Sequence, residues 1–168
     1  MNPPSEPDGR LTAFGNQLIE AHLWLREELA RLREEVHAHP DAHTRPERTW
    51  ELRAHCLTFC SAVTKHHSGE DEGAFPALAE QFPELRPVLD ELARDHRQVA
   101  DIMRALQELL GDLDADPERV RAELDGLAAL LESHFVYEEK RLVSALNALD
   151  APRWRASVPA FLSRTPLA

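Results

Sequence analysis

Apolar residues recur every three or four positions in four long stretches of the chain, the spacing that lines them up on one face of an α-helix. The first stripe is Leu11, Leu18, His22, Leu25, Leu29, Leu32 and Val36, with Gly15 filling one slot, and it predicts a helix from about residue 11 to 36. The second carries Leu52, His55, Phe59, Ala62, His66 and Glu70. Thr44 and Glu47 read as its capping box with Pro46 in the first turn, and it is expected to end near Pro76. The segment FPALAEQFPEL reads as a short connection broken by Pro76 and Pro83. The third stripe, Leu85, Leu89, Leu92, His96, Val99, Met103, Leu106 and Leu110, predicts a helix over 84–110 that Gly111 and Asp112 stop. Asp116 is placed to cap the fourth helix, with Pro117 at its first position. That helix carries Val120, Leu124, Leu127, Leu131, His134, Glu138, Leu142, Ala145 and Leu149.

These elements predict an all-α protein: an up-down-up-down antiparallel four-helix bundle with a short C-terminal capping segment. Residues 1–10 read as a disordered N-terminal tail, 11–150 as the bundle and 151–168 as the cap and tail, where Trp154, Val158, Phe161 and Leu162 supply apolar cover.

The stripes contain residues that do not belong in an apolar core. His22, His66, His96 and His134 each stand on a different helix, and Glu70 and Glu138 follow two of them by four residues. Buried polar groups of this kind persist when paired or bound to metal. An α-helix rises about 1.5 Å per residue. With the four histidines set at one height, each pair of successive helix ends falls within reach of its loop, so a single histidine layer is self-consistent. The halves also repeat: each has a helix with one stripe histidine, then a helix with HxxxE, in HHSGED and in HFVYEE. His55 lies eleven residues before His66, about 16 Å along the helix. It is expected to stand outside the layer, lining a channel or hydrogen-bonding in the upper core.

Composition narrows the function classes. The formal net charge is −11, from 30 acidic against 19 basic residues, which disfavours nucleic acids and anionic membrane surfaces as partners. No apolar run approaches a transmembrane length, and the start, MNPPSEPDGR, lacks signal-peptide regions. Cys56 and Cys60 stand one turn apart on one helix and read as reduced, ordinary buried residues. A cytoplasmic location is expected.

Neutral imidazole and carboxylate suit iron, manganese and zinc. Residues at i and i+4 face the same way, so His66/Glu70 and His134/Glu138 are each candidate chelating pairs. Four histidines give about two nitrogens to each of two ions, and two glutamates can bridge them, the chemistry of di-iron carboxylate sites in bundle cores. A single zinc takes about four ligands and leaves the rest unexplained.

At this point the chain resembles the hemerythrin HHE cation-binding family. The residues that carry the likeness are His22 in IEAHLWLREEL, His66 and Glu70 in HHSGEDEGAFP, His96 in RDHRQVA, and His134 and Glu138 in SHFVYEEKRLV, with Phe75-Pro76 following the second-helix motif. The resemblance implies two non-haem iron ions, oxo- or hydroxo-bridged and carboxylate-bridged, that meet dioxygen, peroxide or nitric oxide. Oxygen-carrying members place a second histidine four residues after the third-helix histidine, where this chain has Ala100. They also place an aspartate five residues after the fourth-helix histidine, where the nearest residues here are Glu138 and Glu139. One nitrogen fewer opens a coordination position, or lets His67 or a water fill it. That favours turnover of O2 or H2O2, in an oxidase or a catalase/peroxidase-like enzyme, over reversible carriage. A reduced flavin or deazaflavin is a candidate electron donor, although no nucleotide-binding motif is visible. The alternative is a non-enzymatic module that binds O2, NO or iron and reports to a partner.

The expected metal ligands are therefore His22, His66, Glu70, His96, His134 and Glu138, with His67 and His55 as additional candidates and no catalytic residue beyond the ligands. His67 is turned about 100° from His66 and is either an interface residue or a seventh ligand. Asp71, Glu72 and Glu139 are expected to be solvated. Tyr137 either hydrogen-bonds near the metals or packs, and Trp24 and Trp50 are expected to pack in the core or at its cap.

Overall fold

A computed structural model describes residues 13–38, 46–111 and 116–163. The expected N-terminal tail, Leu11, the Thr44 cap and the Asp112 stop lie outside the described residues. Helices α1 (Phe14–Ala38), α2 (Pro46–Gly69), α3 (Phe75–Gln81), α4 (Arg86–Gly111), α5 (Pro117–Ala148) and α6 (Pro152–Ala156) account for most of the rest. The four long ones, α1, α2, α4 and α5, form the bundle: α1 packs on α2 and α5, and α4 packs on the same two.

Their alternating direction can be read from which residues share a core. One apolar cluster joins Leu25–Val36 of α1, Leu52–Val63 of α2, Val99–Leu110 of α4 and Val120–Phe135 of α5. The other joins Phe14 and Leu18 of α1, Val88–Leu92 of α4 and Leu142–Leu149 of α5 with Phe75 and Leu78 of α3. The first half of one helix therefore meets the second half of its neighbours, which requires antiparallel packing. The histidines fall between the two clusters.

The fourth helix starts as its sequence directs. The Asp116 side chain accepts a hydrogen bond from the Glu118 amide at 2.9 Å, with Pro117 at the first helical position. The second helix does not stop near Pro76 as expected. It widens into a π turn, Glu70–Ala74, in which the Phe75 amide donates to the Glu70 carbonyl, and continues as α3 to Gln81. Proline cannot donate in a helix, and in a tight α turn its ring strikes the carbonyl four residues back. A wider turn just before Pro76 relieves that clash and lets the helix carry on. The break comes instead at Phe82, followed by a 3₁₀ turn over Pro83–Leu85.

The C-terminal segment covers one end of the bundle. Helix α6 and a 3₁₀ turn, Ala160–Leu162, bring Phe161 and Leu162 into the second cluster, and Trp154 packs edge-on against Phe14 and Phe161. Trp24 packs against the first cluster. Trp50, expected to pack, is exposed, with Arg53 over its ring. Cys56 and Cys60 are buried, free thiols. No helix among the described residues is long and apolar enough to cross a membrane.

Candidate metal centre

The buried polar or charged residues among those described are His22, His66, His67, Glu70, His96, His134 and Glu138. All of them meet at one level. The rings of His22 and His66 lie 5.0 Å apart, those of His96 and His134 4.9 Å, and His67 stacks on His96 at 3.8 Å with 12° between planes. The helix geometry accounts for this: each residue sits on an inward stripe, and antiparallel packing sets the stripes at a common height.

The donor atoms fall into two groups that could each hold a metal ion. His22, His66 and Glu138 form one; His67, Glu70, His96 and His134 form the other. Each glutamate reaches across them. Glu70 Oε1 lies 3.2 Å from His66 Nε2 and 3.5 Å from His96 Nε2. Glu138 Oε2 lies 3.0 Å from His134 Nε2 and 3.9 Å from His22 Nε2. Both carboxylates therefore stand between a histidine of one group and a histidine of the other.

Three of the four stripe histidines are hydrogen-bonded through their outer nitrogen, and the fourth, His22, faces a carboxylate without a hydrogen bond. His66 Nδ1 donates to the Phe161 carbonyl; His96 Nδ1 bonds Asp71 at 2.9 Å and His134 Nδ1 bonds Asp95 at 3.1 Å. His22 Nδ1 lies 3.5 Å from Glu139, which Arg26 grips with two nitrogens at 3.0 and 3.2 Å. Acceptors of this kind place the ring proton on Nδ1 and leave the Nε2 lone pair facing inward, the usual support of a metal-bound imidazole. Asp71 stays exposed, as expected, while bonding His96, whereas Glu139, expected to be solvated, is mostly covered beside His22.

The arrangement fits a cation better than it fits a hydrogen-bonded core. The Nε2 atoms of His22 and His66 are 3.1 Å apart. His66 keeps its proton on Nδ1 for the Phe161 carbonyl, so its Nε2 lone pair faces the His22 ring at that distance. Nitrogen ligands about 2.0–2.1 Å from a metal and at right angles are separated by a similar length. Arg121 Nε aside, every buried side-chain nitrogen or oxygen without a hydrogen-bond partner among the described residues belongs to this layer, including His67 Nε2, His96 Nε2, His134 Nε2 and both Glu138 oxygens. Orphaned buried atoms are costly and call for a partner.

Electrostatics point the same way. Burial and the neighbouring His22 push His66 down to about 3, so it is neutral with a free lone pair. Burial and the adjacent His96 hold His67 well below the imidazole range. Burial and the Glu138 charge hold Glu70 well above the carboxylate range. Burial acts to raise Glu138 too, but the Glu70 carboxyl and His134 hold it well below. Two buried carboxyl groups thus share one proton, which a cation between them would replace.

His55 stands apart from the layer, bonded to Glu35 at 2.6 Å and 3.8 Å from Glu28. Tyr137 donates to Glu91 at 3.0 Å and packs on the second cluster, away from the donors. Sequence reasoning did not single out Asp95 or Phe161 as partners of the site. Their only signal is that each lies on an element facing a stripe histidine. A cavity of about 180 Å³ between Thr64, His67 and Ser68 of α2 and His96, Ala100 and Met103 of α4 opens onto the His67 and His96 rings. The small side chain of Ala100 leaves that space.

Fold and site together define a four-helix bundle with paired His/Glu metal-binding clusters at mid-height, an arrangement consistent with a di-iron centre. The chain belongs to the hemerythrin HHE cation-binding domain family, whose model matches residues 15–146. Comparison with curated proteins and with solved structures gives no significant match.

Proposed function

We propose that this is a non-haem di-iron protein that reacts with dioxygen or peroxide as a redox enzyme, oxidase or catalase/peroxidase-like. The ligands are His22, His66 and Glu138 for one ion and Glu70, His96 and His134 for the other, with His67 as a further nitrogen donor to the second. The observation that carries the reading is the position of Glu70 and Glu138, each within 4 Å of histidines from both groups. Carboxylates so placed would be shared between two ions, and a lone zinc would leave one of them unused.

Bound there, two iron ions supply one-electron redox steps and a coordination position for a small oxidant. The chain's own residues supply the rest. Phe161, Asp71, Asp95 and Glu139 fix the ring orientations. The two apolar clusters above and below exclude water, which strengthens every interaction inside. The cavity walled by Ala100 gives a small oxidant a route to the side of the centre where His67 and His96 stand.

The test is the metal content and spectrum of freshly isolated protein. About two irons per chain and a near-ultraviolet charge-transfer band that azide perturbs are expected; one zinc and no iron would remove the assignment. Sustained consumption of O2 or H2O2 with an added reductant separates an enzyme from a module that only binds O2, NO or iron.

A further inference from the structure

The outward face of α2 differs from those of the other long helices. From Leu52 to Ser68 its exposed residues are Ala54, Leu57, Thr58, Ser61, Thr64 and Ser68, none of them charged. Helices α1, α4 and α5 each turn charged side chains to solvent, among them Glu27 and Glu34, Arg94 and Asp101, and Glu132 and Lys140. The α2 face also carries two large apolar side chains that remain exposed, Trp50 at 66% and Leu57 at 46%. A surface helix ordinarily sets charged residues opposite the core, so this face has the composition of a covered one.

The pattern along the face says what covers it. Trp50, Ala54, Leu57, Ser61, Thr64 and Ser68 follow one another in alternating steps of four and three, the spacing of a seam between two helices. Turned about a twofold axis at the level of Thr58 and Phe59, the seam meets itself antiparallel. Trp50 then falls opposite Ser68 of the second copy, Leu57 opposite Ser61, and Ala54 opposite Thr64. Each larger side chain meets a smaller one, the alternation that lets facing layers interdigitate. Glu51, Thr58 and Lys65, each one heptad from the next, form one edge of the seam. The same axis brings Glu51 level with Lys65 of the second copy, and neither is paired with another residue among those described. Two copies of a chain of net charge −11 repel each other, and an uncharged face is where they approach at least cost.

We infer that α2 is the interface of a symmetric homodimer, packed antiparallel on α2 of a second copy, with Leu57 and Ser61 at its centre and Glu51–Lys65 ion pairs along its edge. One patch serves both copies, as a twofold interface requires. Thr64 and Ser68 also line the cavity that opens onto His67 and His96, so the Trp50 ring of the second copy stands at its mouth.

The experiment is sedimentation equilibrium of the full chain over a micromolar concentration range. Wild type is expected to form dimers that dissociate on dilution. Leu57→Glu and Ser61→Glu each place a charge at the centre of the seam, at exposed positions, and should give monomers of wild-type helix content by circular dichroism. Lys65→Glu or Glu51→Lys alone sets like charges together and should weaken the dimer about three- to tenfold. The double variant E51K/K65E should bring it back near the wild-type value. Tryptophan fluorescence should become harder to quench with acrylamide as wild type is concentrated, but not as L57E is. A wild type that stays monomeric would overturn the proposal and leave the face to a different protein. So would a dimer that both L57E and S61E leave intact, or a double charge variant no stronger than the single ones.

Discussion

The Nδ1–H of His66 donates to the backbone carbonyl of Phe161, 95 residues further along the chain. The C-terminal cap therefore does more than cover apolar surface: it sets the tautomer of a ring in the metal layer. Its close approach depends on Gly69. A methyl group there would lie 2.8 Å from the Phe161 amide nitrogen and 3.0 Å from its Cβ. Backbone cannot swing aside as a flexible side chain can, so Gly69→Ala should push the cap off His66. We expect about 1–3 kcal/mol of destabilisation together with weaker metal binding, by urea unfolding and metal titration. Gly126→Ala is the control. It sits within α5 with nothing within 4 Å of the added methyl, and should raise stability by up to about 1 kcal/mol. Gly69→Ala behaving like Gly126→Ala would separate the cap from the centre.

His134 makes the same kind of contact with a side chain. Asp95 holds its Nδ1 at 3.1 Å. Although burial lowers the proton affinity of His134, Glu138 and Asp95 together raise it above the ordinary imidazole value. Asp95→Asn keeps the shape and removes the charge. Metal affinity should fall about 10–100-fold with little change in the metal-free melting temperature, because Asp95 is part-exposed. Competition with a coloured chelator measures the first and thermal unfolding the second. Unchanged affinity would mean that Asp95 does not support the ring.

The parts of the fold and site that could be read from sequence are those governed by one period. His22, His66, His96 and His134 stand in stripes of leucine spacing, and four stripes of similar length leave one common level. Features off the stripe carry a weaker signal, which leaves His67 either an interface residue or a seventh ligand in the sequence alone. His67 lies a 100° step from His66, yet a core-facing stripe is wide enough for its ring to reach the layer from the flank and stack on His96. The contacts of Asp71 and Glu139 with His96 and His22 have no local signature, because they reach across 25 and 117 residues to other helices. Pro76 was read as a stop because a π turn that absorbs a proline leaves no mark in the hydrophobic pattern.

Glu139 gives the molecule an acid-sensitive contact. Burial works against its charge, but the nearby His22 ring and the Arg26 guanidinium hold it down to about 2. A carboxyl group depressed in the folded state favours folding above its unfolded value, about 4.3, and that contribution is lost as pH falls towards 2. Wild type should therefore lose more stability than Glu139→Gln on going from pH 5 to pH 3, both free of metal. Urea midpoints at the two pH values test this. Parallel slopes for the two proteins would show that the Arg26–Glu139–His22 contact is not formed in solution.

His67 offers the sharpest separation of stability from metal binding. Its Nε2 is buried without a hydrogen-bond partner, which costs about 1–3 kcal/mol. Its ring also stacks on His96, so the shape matters even where the nitrogen does not. His67→Phe keeps an aromatic ring at that place and removes the orphaned atom. The metal-free variant should melt higher than wild type, by roughly 2–4 °C for each kcal/mol recovered in a chain of this size. If His67 is a ligand, the same change should weaken one of two iron-binding steps and leave the other near its wild-type value. In excess iron, the variant should then gain less thermal stability than wild type, because binding to the native state stabilises it in proportion to affinity. A variant that melts higher without metal and still binds two irons as tightly as wild type would make His67 a packing residue and leave the second ion with Glu70, His96 and His134 alone.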